Sequence, residues 1–500
     1  MFLQIQRFLL AFLFIATVSF TAKPITLLAE WQLPPYQFPG AIGLPPVAVA
    51  SDANGHAFTA FNDSTSNTVL ASYYTSGAWG TPQVIGVGSP LDLAIAMDDS
   101  GTALVIWFDQ TGGNILTANF DGSSWNNPSP SPLDTISGFS PGAGLAIDMN
   151  GPNEGVALWI DLSLQLVRTA FFSGGNWTTP TTIGIGVTNP TIGYSTNGTA
   201  VAGWSLTSAR VSNYIGGSWQ PQVILDTPAQ SGARVGIDSN GNAHAIWLTD
   251  PNFNINFSNF NGTSWSAPQA LTLTSGNRIP SIGVAPTGTA VATWVDSAQA
   301  GQSSAYNGST WSAPFQFTTG PIINTSVFTN SLSVNNSGDA FTVWITTSSE
   351  LKSARLKLSQ AWAPEELITT LASLGRFRNS LSSDGTGFAA WSTSPNYTFF
   401  AGVNLSAVLP ASSIEGAVCK TKFASQTDII NTITWTPSTD PRIQVYNLSR
   451  NGVLIAAIPA SGPFIYRDHQ RCSKRSYTYS LTAVSTSGVE STPISVTLID

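Results

Sequence analysis

Five aspartates recur at similar positions along the chain and could together form a binding site. Each follows Phe61 or a tryptophan by two or three residues: Asp63, Asp109, Asp161, Asp250 and Asp296. Carboxylates gathered on one surface can accept hydrogen bonds from sugar hydroxyls or attract a cation. The alternative is that each aspartate ends its own strand and bonds to nearby backbone N–H groups. The sequence leaves both interpretations open.

Arginine supplies the second candidate group, because basic residues are rare in most of the chain. From residue 24 to residue 351 the sequence has no lysine and four arginines: Arg168, Arg210, Arg234 and Arg278. Two of these, with two later arginines, stand in or just after loops that lead into short apolar runs: Arg234, Arg278, Arg376 and Arg378. These four side chains could therefore share one face of the fold.

The composition excludes several classes of protein. Charged residues make up 9% of the chain and hydrophobic residues 42%, so the chain has enough apolar material for a core. The scarcity of basic residues argues against a nucleic-acid partner, since phosphates need cations opposite them. Three histidines and two cysteines leave little for a metal site or for acid–base chemistry. We therefore expect no metal, no cofactor and no catalytic residue.

Tryptophan marks an internal repeat of about 46 residues. One series opens the repeats: Trp31, Trp79, Trp125, Trp177, Trp219, Trp265, Trp311 and Trp362. A second series follows it, with Phe61 in the first place: Trp107, Trp159, Trp204, Trp247, Trp294, Trp344 and Trp391. Between the two series, short runs alternate large and small residues and are separated by turns containing Asn or Asp and Gly, as in 235–247. Such alternation predicts strands joined in hairpins.

Four strands in each repeat predict an all-β fold of the β-propeller type over residues 31–404. If the strands are lettered A to D outward from the axis, the chain starts with a D strand at Trp31 and ends with a C strand. The first strand can then complete the last blade and close the ring. We count eight blades, with seven as the alternative if the repeat containing Phe61 is irregular. A β-solenoid is a further alternative, which four strands per repeat disfavour.

The turn before several opening tryptophans resembles the Asp-box of sialidase-type (BNR) propellers, Ser-x-Asp-x-Gly-x-Thr-Trp. Residues 258–265 and 304–311 keep the Ser, the Gly, the hydroxyl residue and the Trp, whereas Phe260 and Tyr306 replace the Asp. The resemblance implies a blade and not a reaction. Were it to extend to activity, Arg234, Arg278 and Arg376 or Arg378 would converge on one carboxylate beside a Tyr/Glu pair. That glycoside hydrolase is an alternative to a protein without enzymatic activity.

Loops on a rigid propeller divide between two faces. The A–B and C–D turns are short and lie on one face, whereas the B–C and D–A loops vary in length and lie on the other. The loops that differ most in length from the others are residues 128–144 and 320–329. The variable face carries the candidate aspartates and arginines, so we predict that it binds a protein or glycan ligand. Residues 31–404 hold 20 acidic and nine basic residues, which should repel polyanions.

The sequence changes character from residue 405 onward. Lysine and arginine return, and strand-like runs separated by turns continue to the end, as expected of a seven-stranded sandwich. The segment resembles a fibronectin type III domain: Trp435 matches the Trp of its B strand, and 477–484 matches its F strand. The resemblance implies a spacer or adhesion module. Cys419 and Cys472 lie outside that family's pattern and could form a disulfide or remain free thiols.

Residues 1–22 have the composition of a secretory signal peptide. Arg7 precedes an apolar run that is too short to span a membrane, and small residues follow it. We expect a secreted or cell-surface protein, monomeric and without a transmembrane segment once the signal is removed. The predicted function is non-enzymatic binding or adhesion at the variable face. A sialidase-like hydrolase and a purely structural surface protein are the alternatives.

Overall fold

A computed structural model describes residues 30–42, 47–126, 132–139, 144–278, 280–323, 330–357, 361–370, 374–393, 398–405, 408–423, 426–440, 442–485 and 490–499. The predicted signal peptide, residues 1–22, lies outside these ranges, as do parts of the two longest variable loops. The described residues form strands and turns. Among them no helix is long and apolar enough to cross a membrane.

Eight antiparallel sheets are described before residue 405. The chain opens with two strands that join the last of these sheets, β1 (Glu30–Trp31) and β2 (Tyr36–Ile42). The first two sheets follow: sheet 1 with β3 (Val47–Ser51), β4 (Ala57–Asp63), β5 (Thr68–Thr75), β6 (Ala78–Trp79) and β7 (Gln83–Val87), and sheet 2 with β8 (Pro90–Met97), β9 (Ala103–Asp109), β10 (Asn114–Phe120), β11 (Trp125–Asn126) and β12 (Asp134–Thr135).

The next two sheets also have five strands each. They are sheet 3, with β13 (Leu145–Gly151), β14 (Glu154–Asp161), β15 (Leu166–Ser173), β16 (Asn176–Trp177) and β17 (Thr181–Ile185), and sheet 4, with β18 (Thr188–Tyr194), β19 (Ala200–Ser205), β20 (Ala209–Ile215), β21 (Ser218–Trp219) and β22 (Val223–Asp226).

Sheets 5 to 7 have four strands each, and sheet 8 is completed by β1 and β2. They are sheet 5, with β23 (Arg234–Ile237), β24 (Ala243–Leu248), β25 (Ile255–Phe260) and β26 (Gln269–Ala270); sheet 6, with β27 (Ser281–Val284), β28 (Ala290–Val295), β29 (Gly301–Tyr306) and β30 (Phe315–Gln316); sheet 7, with β31 (Asn330–Val334), β32 (Ala340–Ile345), β33 (Glu350–Leu356) and β34 (Glu366–Thr370); and sheet 8, with β35 (Leu374–Leu381), β36 (Gly387–Thr393) and β37 (Thr398–Leu405).

The first strand of each sheet in chain order, its A strand, lies against the A strands of the two neighbouring sheets. These contacts follow the chain from β3 to β8, β13, β18, β23, β27, β31 and β35, and β35 returns to β3. The A strands therefore surround a common axis. Because every sheet has the same strand order, the A strands all begin at one end of this axis, the D–A face, and all finish at the other end, the A–B face. Repeated sheets arranged in this way fit the repeats of a β-propeller.

The predicted closure of the ring by the amino end is confirmed. Strand β1 pairs antiparallel with β37, with Glu30 opposite Leu405 and Trp31 opposite Asn404. The Trp31 indole N–H also donates a 3.0 Å hydrogen bond to the Ser353 hydroxyl of sheet 7. The first repeat is complete, because Phe61 takes the place of tryptophan in β4 and is fully buried.

Small residues let neighbouring A strands approach. A Cβ atom added to Gly236 of β23 would lie 2.5 Å from a methyl carbon of Val284, on β27 of the next sheet. Because no carbon can remain at that distance, an alanine at position 236 would push the two sheets apart. The alternation of large and small residues in the A strands therefore has a packing cause.

The core lies between sheets, where the second tryptophan series is buried. Each core cluster of the ring joins residues of two neighbouring sheets; Trp159 of sheet 3, for example, packs against Ile106 and Ile115 of sheet 2. The seven tryptophans of this series are each less than 2% exposed: Trp107, Trp159, Trp204, Trp247, Trp294, Trp344 and Trp391. Packing of neighbouring sheets through these indoles is the main apolar stabilisation of the ring.

After residue 405 the described chain forms two further sheets. Seven strands make them up: β38 (Ser413–Phe423), β39 (Gln426–Thr436), β40 (Ile443–Arg450), β41 (Val453–Pro459), β42 (Ile465–Asp468), β43 (Ser476–Ser485) and β44 (Ile494–Ile499). One sheet has the order β38-β39-β42 and the other β41-β40-β43-β44. A single buried cluster contains Trp435 from the first sheet and Tyr446, Leu448 and Tyr479 from the second.

The Cys419–Cys472 disulfide that the sequence allows is not formed, and both thiols are free and exposed. Cys419 lies in β38, opposite Ile430 of β39. Cys472 follows Arg471, whose N–H bonds to the carbonyl of Ile429 from the other side of β39. A strand therefore separates the two cysteines. Two strand spacings come to about 9.5 Å, which exceeds the Cα separation that a disulfide can bridge.

Candidate functional site

Three of the four candidate arginines converge within the ring of A strands. Arg376 and Arg378 are the third and fifth of the eight residues of β35, which starts at the D–A face, and Arg234 is the first residue of β23. They come from sheets 8 and 5, which lie on different sides of the axis. Burial lowers the pKa of Arg234 most, and the positive charge of Arg378 lowers it further, as expected of two nearby guanidinium groups.

Asp92 joins this group from a third sheet. It stands near the start of β8 in sheet 2, and its Oδ1 lies 3.4 Å from Nη1 of Arg376. Both side chains are largely buried, at 7% and 13% exposure. The Asp92 carboxylate also accepts hydrogen bonds from the backbone N–H of Leu93, at 3.2 Å, and of Gly144, at 3.5 Å. We refer to Asp92, Arg234, Arg376 and Arg378 as the channel cluster.

Neutral groups hold the arginines in place. The Arg234 guanidinium donates from Nη2 to Oδ1 of Asn189 in sheet 4, at 3.3 Å. Arg378 donates from Nη1 to the Phe377 carbonyl at 3.0 Å, and the Arg376 backbone N–H donates to the Ser392 hydroxyl. Within the described part of the chain, Arg234 forms no ion pair. Its charge therefore bonds to a neutral amide and is repelled by the positive charge of Arg378.

Burial opposes every charge in the channel cluster. It is the largest cause that lowers the pKa of Arg234, to about 10, and repulsion by Arg378 adds to it. Burial likewise lowers the pKa values of Arg376 and Arg378, although Asp92 acts in the opposite direction on both. The pKa of Asp92 is raised, because burial outweighs the two arginines that favour its charged form. An incoming anion would compensate the positive charge in a place where water does so poorly.

The fourth candidate, Arg278, comes from another sheet. It lies before β27 of sheet 6, and its backbone N–H donates to the Val295 carbonyl at 2.8 Å. The contacts that connect the channel cluster run through Asp92 and Asn189, which belong to other sheets. We therefore leave Arg278 out of the channel cluster.

Four of the five candidate aspartates accept hydrogen bonds from their own sheet or its adjoining loop. Asp63 accepts from the N–H of Thr65 at 3.0 Å, and Asp109 from that of Ser89 at 2.9 Å. Asp161 accepts from the N–H of Leu164 at 3.3 Å and from the Ser137 hydroxyl at 3.4 Å. Asp296 accepts from the N–H groups of Ala298 and Ala300, both at 2.9 Å. Asp250 is exposed in a turn. Each of these contacts stays within one sheet or its adjoining loop, so the described contacts bring no two of the five carboxylates together.

The glutamates required by the sialidase-like alternative have other partners. Glu154 accepts from the Ser173 hydroxyl at 2.6 Å, toward the A–B face of sheet 3. Glu350 and Glu365 both pair with Lys352, and Glu366 accepts from the Asn404 side chain. None of these contacts reaches the channel cluster at the D–A face.

Sequence reasoning missed two members of the site, Asp92 and Asn189. A signal was present for Asp92, which puts a charge inside the apolar run 91–97. Asn189 carried no such signal, because asparagine is common in the loops of this chain. The loops that vary most in length add little, since residues 127–131, 140–143 and 324–329 lie outside the described ranges.

Comparisons with known proteins yield fold-level matches only. No family model matches the chain. No curated protein matches it either. Solved structures that match include the BP39L lectin from Burkholderia pseudomallei, at 14% identity and a TM-score of 0.49, covering 73% of this chain and 97% of that one. A lectin from Aleuria aurantia, described as a six-bladed β-propeller, matches at 14% identity and a TM-score of 0.41, covering 67% and 98%. A fungal alcohol oxidase solved with copper matches at 12% identity and a TM-score of 0.45, covering 95% and 100%.

Proposed function

We propose that the chain is a non-enzymatic binding protein that captures a carboxylate-bearing ligand at the D–A face of an eight-bladed β-propeller. The observation that carries the proposal is the channel cluster. Three guanidinium groups and one carboxylate lie together among the A strands, which leaves an excess of positive charge inside an acidic protein. Guanidinium is the side-chain group whose geometry best matches a carboxylate, since it can donate two parallel hydrogen bonds.

The proposed architecture places this site on a rigid frame. Residues 31–404 are the propeller, with sheets that resemble sialidase-type blades, and residues 405–500 are a fibronectin type III-like spacer. The eight sheets with contacting A strands support the blade count, and the core shared by the two C-terminal sheets supports the sandwich. Residues 1–22 direct export, so the ligand is met outside the cell or at its surface.

The charge distribution narrows the class of ligand. The whole chain has a formal net charge of −8, so a polyanion such as a nucleic acid is repelled before it reaches the ring. A single carboxylate on a largely neutral ligand avoids most of that repulsion and can still reach the channel cluster. An acidic glycan or a protein with an accessible carboxylate has this chemistry.

The proposal is tested on an array that carries carboxylated glycans, their neutral counterparts and short peptides with free or amidated C-termini. We expect binding to carboxylated members and loss of binding when the same member is reduced or amidated. The variant Arg376→Gln should weaken this binding by about 10- to 100-fold, the value of one charge-assisted hydrogen bond.

Arg210→Gln is the matched control for this substitution. Arg210 lies in the ring, on β20, and donates to the Ser208 hydroxyl at 2.8 Å, outside the channel cluster. Its loss should leave the affinity unchanged. Equal binding to carboxylated and neutral members, or equal effects of the two substitutions, would refute the proposed site.

A further inference from the structure

A cavity lies between the outer strands of sheets 5 and 6, away from the channel cluster. It has a volume of about 430 Å³. Three aromatic rings form part of its wall, those of Phe257, Tyr306 and Trp311, and the amides of Asn259 and Gln269 form another part. Serine and threonine residues and four aliphatic residues complete the lining, and no charged side chain lines it among the described residues. The volume is within the range of about 300–1,000 Å³ that is usual for small-molecule sites.

The corresponding gap between sheets 4 and 5 is bridged by a side-chain hydrogen bond. There, the Trp265 indole N–H of sheet 5 donates to Oδ1 of Asn213 on β20, at 2.8 Å. Asn213 faces Val201 across the B and C strands of sheet 4. This tryptophan–asparagine hydrogen bond links the outer edges of the two sheets.

The same hydrogen bond is absent between sheets 5 and 6, and His244 is the reason. Asn259 has the register position of Asn213, but it faces His244 where Asn213 faces Val201. Nδ1 of His244 lies 2.8 Å from Oδ1 of Asn259, so the histidine occupies the acceptor that the tryptophan uses one gap earlier. The Trp311 indole nitrogen is buried and has no hydrogen-bond partner among the described residues.

The histidine is held in place by its surroundings. Its ring lies 4.6 Å from that of Tyr306 and 6.1 Å from that of Trp311, centroid to centroid, at steep interplanar angles. Burial lowers the pKa of His244, so the ring is neutral at pH 7 and can donate Nδ1–H to Asn259. The Asn259 amide is thereby fixed with its NH₂ group still available as a donor.

We propose that this cavity binds a neutral pyranose sugar, with the apolar face of the sugar ring on the Tyr306 and Trp311 side chains and its hydroxyls bonded to Asn259 and Gln269. Aromatic rings offer an apolar surface, amides donate and accept hydrogen bonds, and the absence of charge in the lining favours a ligand without charge. Gln269 is exposed and its side chain forms no described hydrogen bond, so the side-chain amide can turn toward a ligand.

Saturation-transfer NMR on the purified chain tests the proposal with methyl pyranosides of glucose, galactose and mannose as probes. At least one probe should show transfer concentrated on the protons of one ring face. Gln269→Ala should reduce the affinity by about tenfold. Gln83→Ala is its matched control, because Gln83 is exposed, stands four residues after Trp79 as Gln269 does after Trp265, and does not line this cavity.

His244→Val supplies a substitution that should close the cavity without harming the fold. Sheet 4 already carries Val201 at this register position, so Asn259 should turn to the Trp311 N–H as Asn213 does to Trp265. We expect a loss of affinity of tenfold or more with an unchanged or higher melting temperature. Absence of transfer from all three probes, or unchanged transfer in both Gln269→Ala and His244→Val, would overturn the proposal.

The two proposed sites can fail separately. Arg376→Gln removes a guanidinium of the channel cluster and should leave transfer from the methyl pyranosides unchanged. Conversely, His244→Val should leave binding to carboxylated array members unchanged. Loss of both activities in either variant would mean that the two sites are coupled, which contradicts the inference drawn from their separation.

Discussion

At the A–B face of the ring, buried acids bond to the turns that contain them, whereas at the D–A face arginines and Asp92 bond across sheets. Asp238 illustrates the first case, since its Oδ1 accepts from the N–H groups of Asn240 and Asn242 at 2.9 and 2.8 Å. Asp52 and Asp98 have the same role in sheets 1 and 2. When all partners of a buried polar residue lie in its own turn, stabilisation of that turn explains why the residue is there. A buried polar residue that bonds to another sheet is not explained in this way and is a candidate for a functional role.

Asp148 is the exception at the A–B face, and it gives the largest expected effect. It lies near the end of β13, and its carboxylate accepts from the N–H groups of Tyr194, on sheet 4, and Met149, at 2.7 and 3.0 Å. Burial raises its pKa from 3.8 to about 6. The folded protein therefore binds this proton more tightly than the unfolded chain does, and the resulting stabilisation, present below about pH 4, is lost as the pH rises to about 6.

The pH dependence of unfolding tests this assignment. Two pKa units correspond to about 3 kcal/mol, by which the free energy of unfolding should fall between pH 4 and pH 7 because of this group. In Asp148→Asn that contribution should vanish, whatever the variant's overall stability. Denaturant titrations of both proteins at the two pH values measure it, and parallel pH profiles would contradict the assignment.

Removing a turn cap at the A–B face should cost stability and leave binding intact. Asp238→Ala leaves two backbone N–H groups without their acceptor, which should lower the free energy of unfolding by about 1–3 kcal/mol. Asp238→Asn is the control, because Asn335 already bonds to the N–H groups of Ser337 and Asp339 at the equivalent turn of sheet 7. Chemical denaturation gives the stabilities, and the carboxylate array should show no change in either variant.

A substitution in the channel cluster at the D–A face should change ligand affinity. Asp92→Asn removes the negative charge that competes with a ligand for Arg376 and Arg378. We expect the affinity for a carboxylated ligand to increase about five- to tenfold at pH 7, roughly 1–1.4 kcal/mol. Titration calorimetry of both proteins checks this.

The wild-type chain should show the same gain as the pH falls, because protonation of Asp92 has the same effect as the substitution. The pKa of Asp92 is raised by burial, so this gain comes at a higher pH than for an ordinary aspartate. An affinity that is insensitive to both pH and substitution would place the ligand elsewhere.

The smallest effect is expected at the aspartates that follow the B strands. Asp63 accepts from Thr65 N–H and from the Ser66 hydroxyl in an exposed turn. Asp63→Ala should lower the free energy of unfolding by about 0.5 kcal/mol and leave ligand affinity unchanged. A clear loss of affinity in this variant would restore the interpretation of these aspartates as a binding ring.

The repeated part of the fold could be predicted because it depends on sequence patterns within short stretches of the chain. Tryptophan spacing, period-two alternation and Gly-containing turns predicted the hairpins, and the pairing of Trp31 with Asn404 confirmed the closure of the ring. The arginines were found for the same reason, since the local sequence places each in or just after a loop that leads into an A strand. The disulfide was not decided by the sequence, because it depended on whether a strand separates Cys419 from Cys472.

By itself the sequence determined which residues form strands and in what order those strands join sheets, because these choices depend on neighbours a few positions away. Tertiary structure alone decided which polar groups meet. Arg376 reaches Asp92 across 284 positions of the chain. Asn259 bonds to His244, whereas Asn213, at the same register position of sheet 4 but opposite Val201, bonds to Trp265. Contacts of this kind depend on the closed ring, which brings together side chains that no local pattern connects.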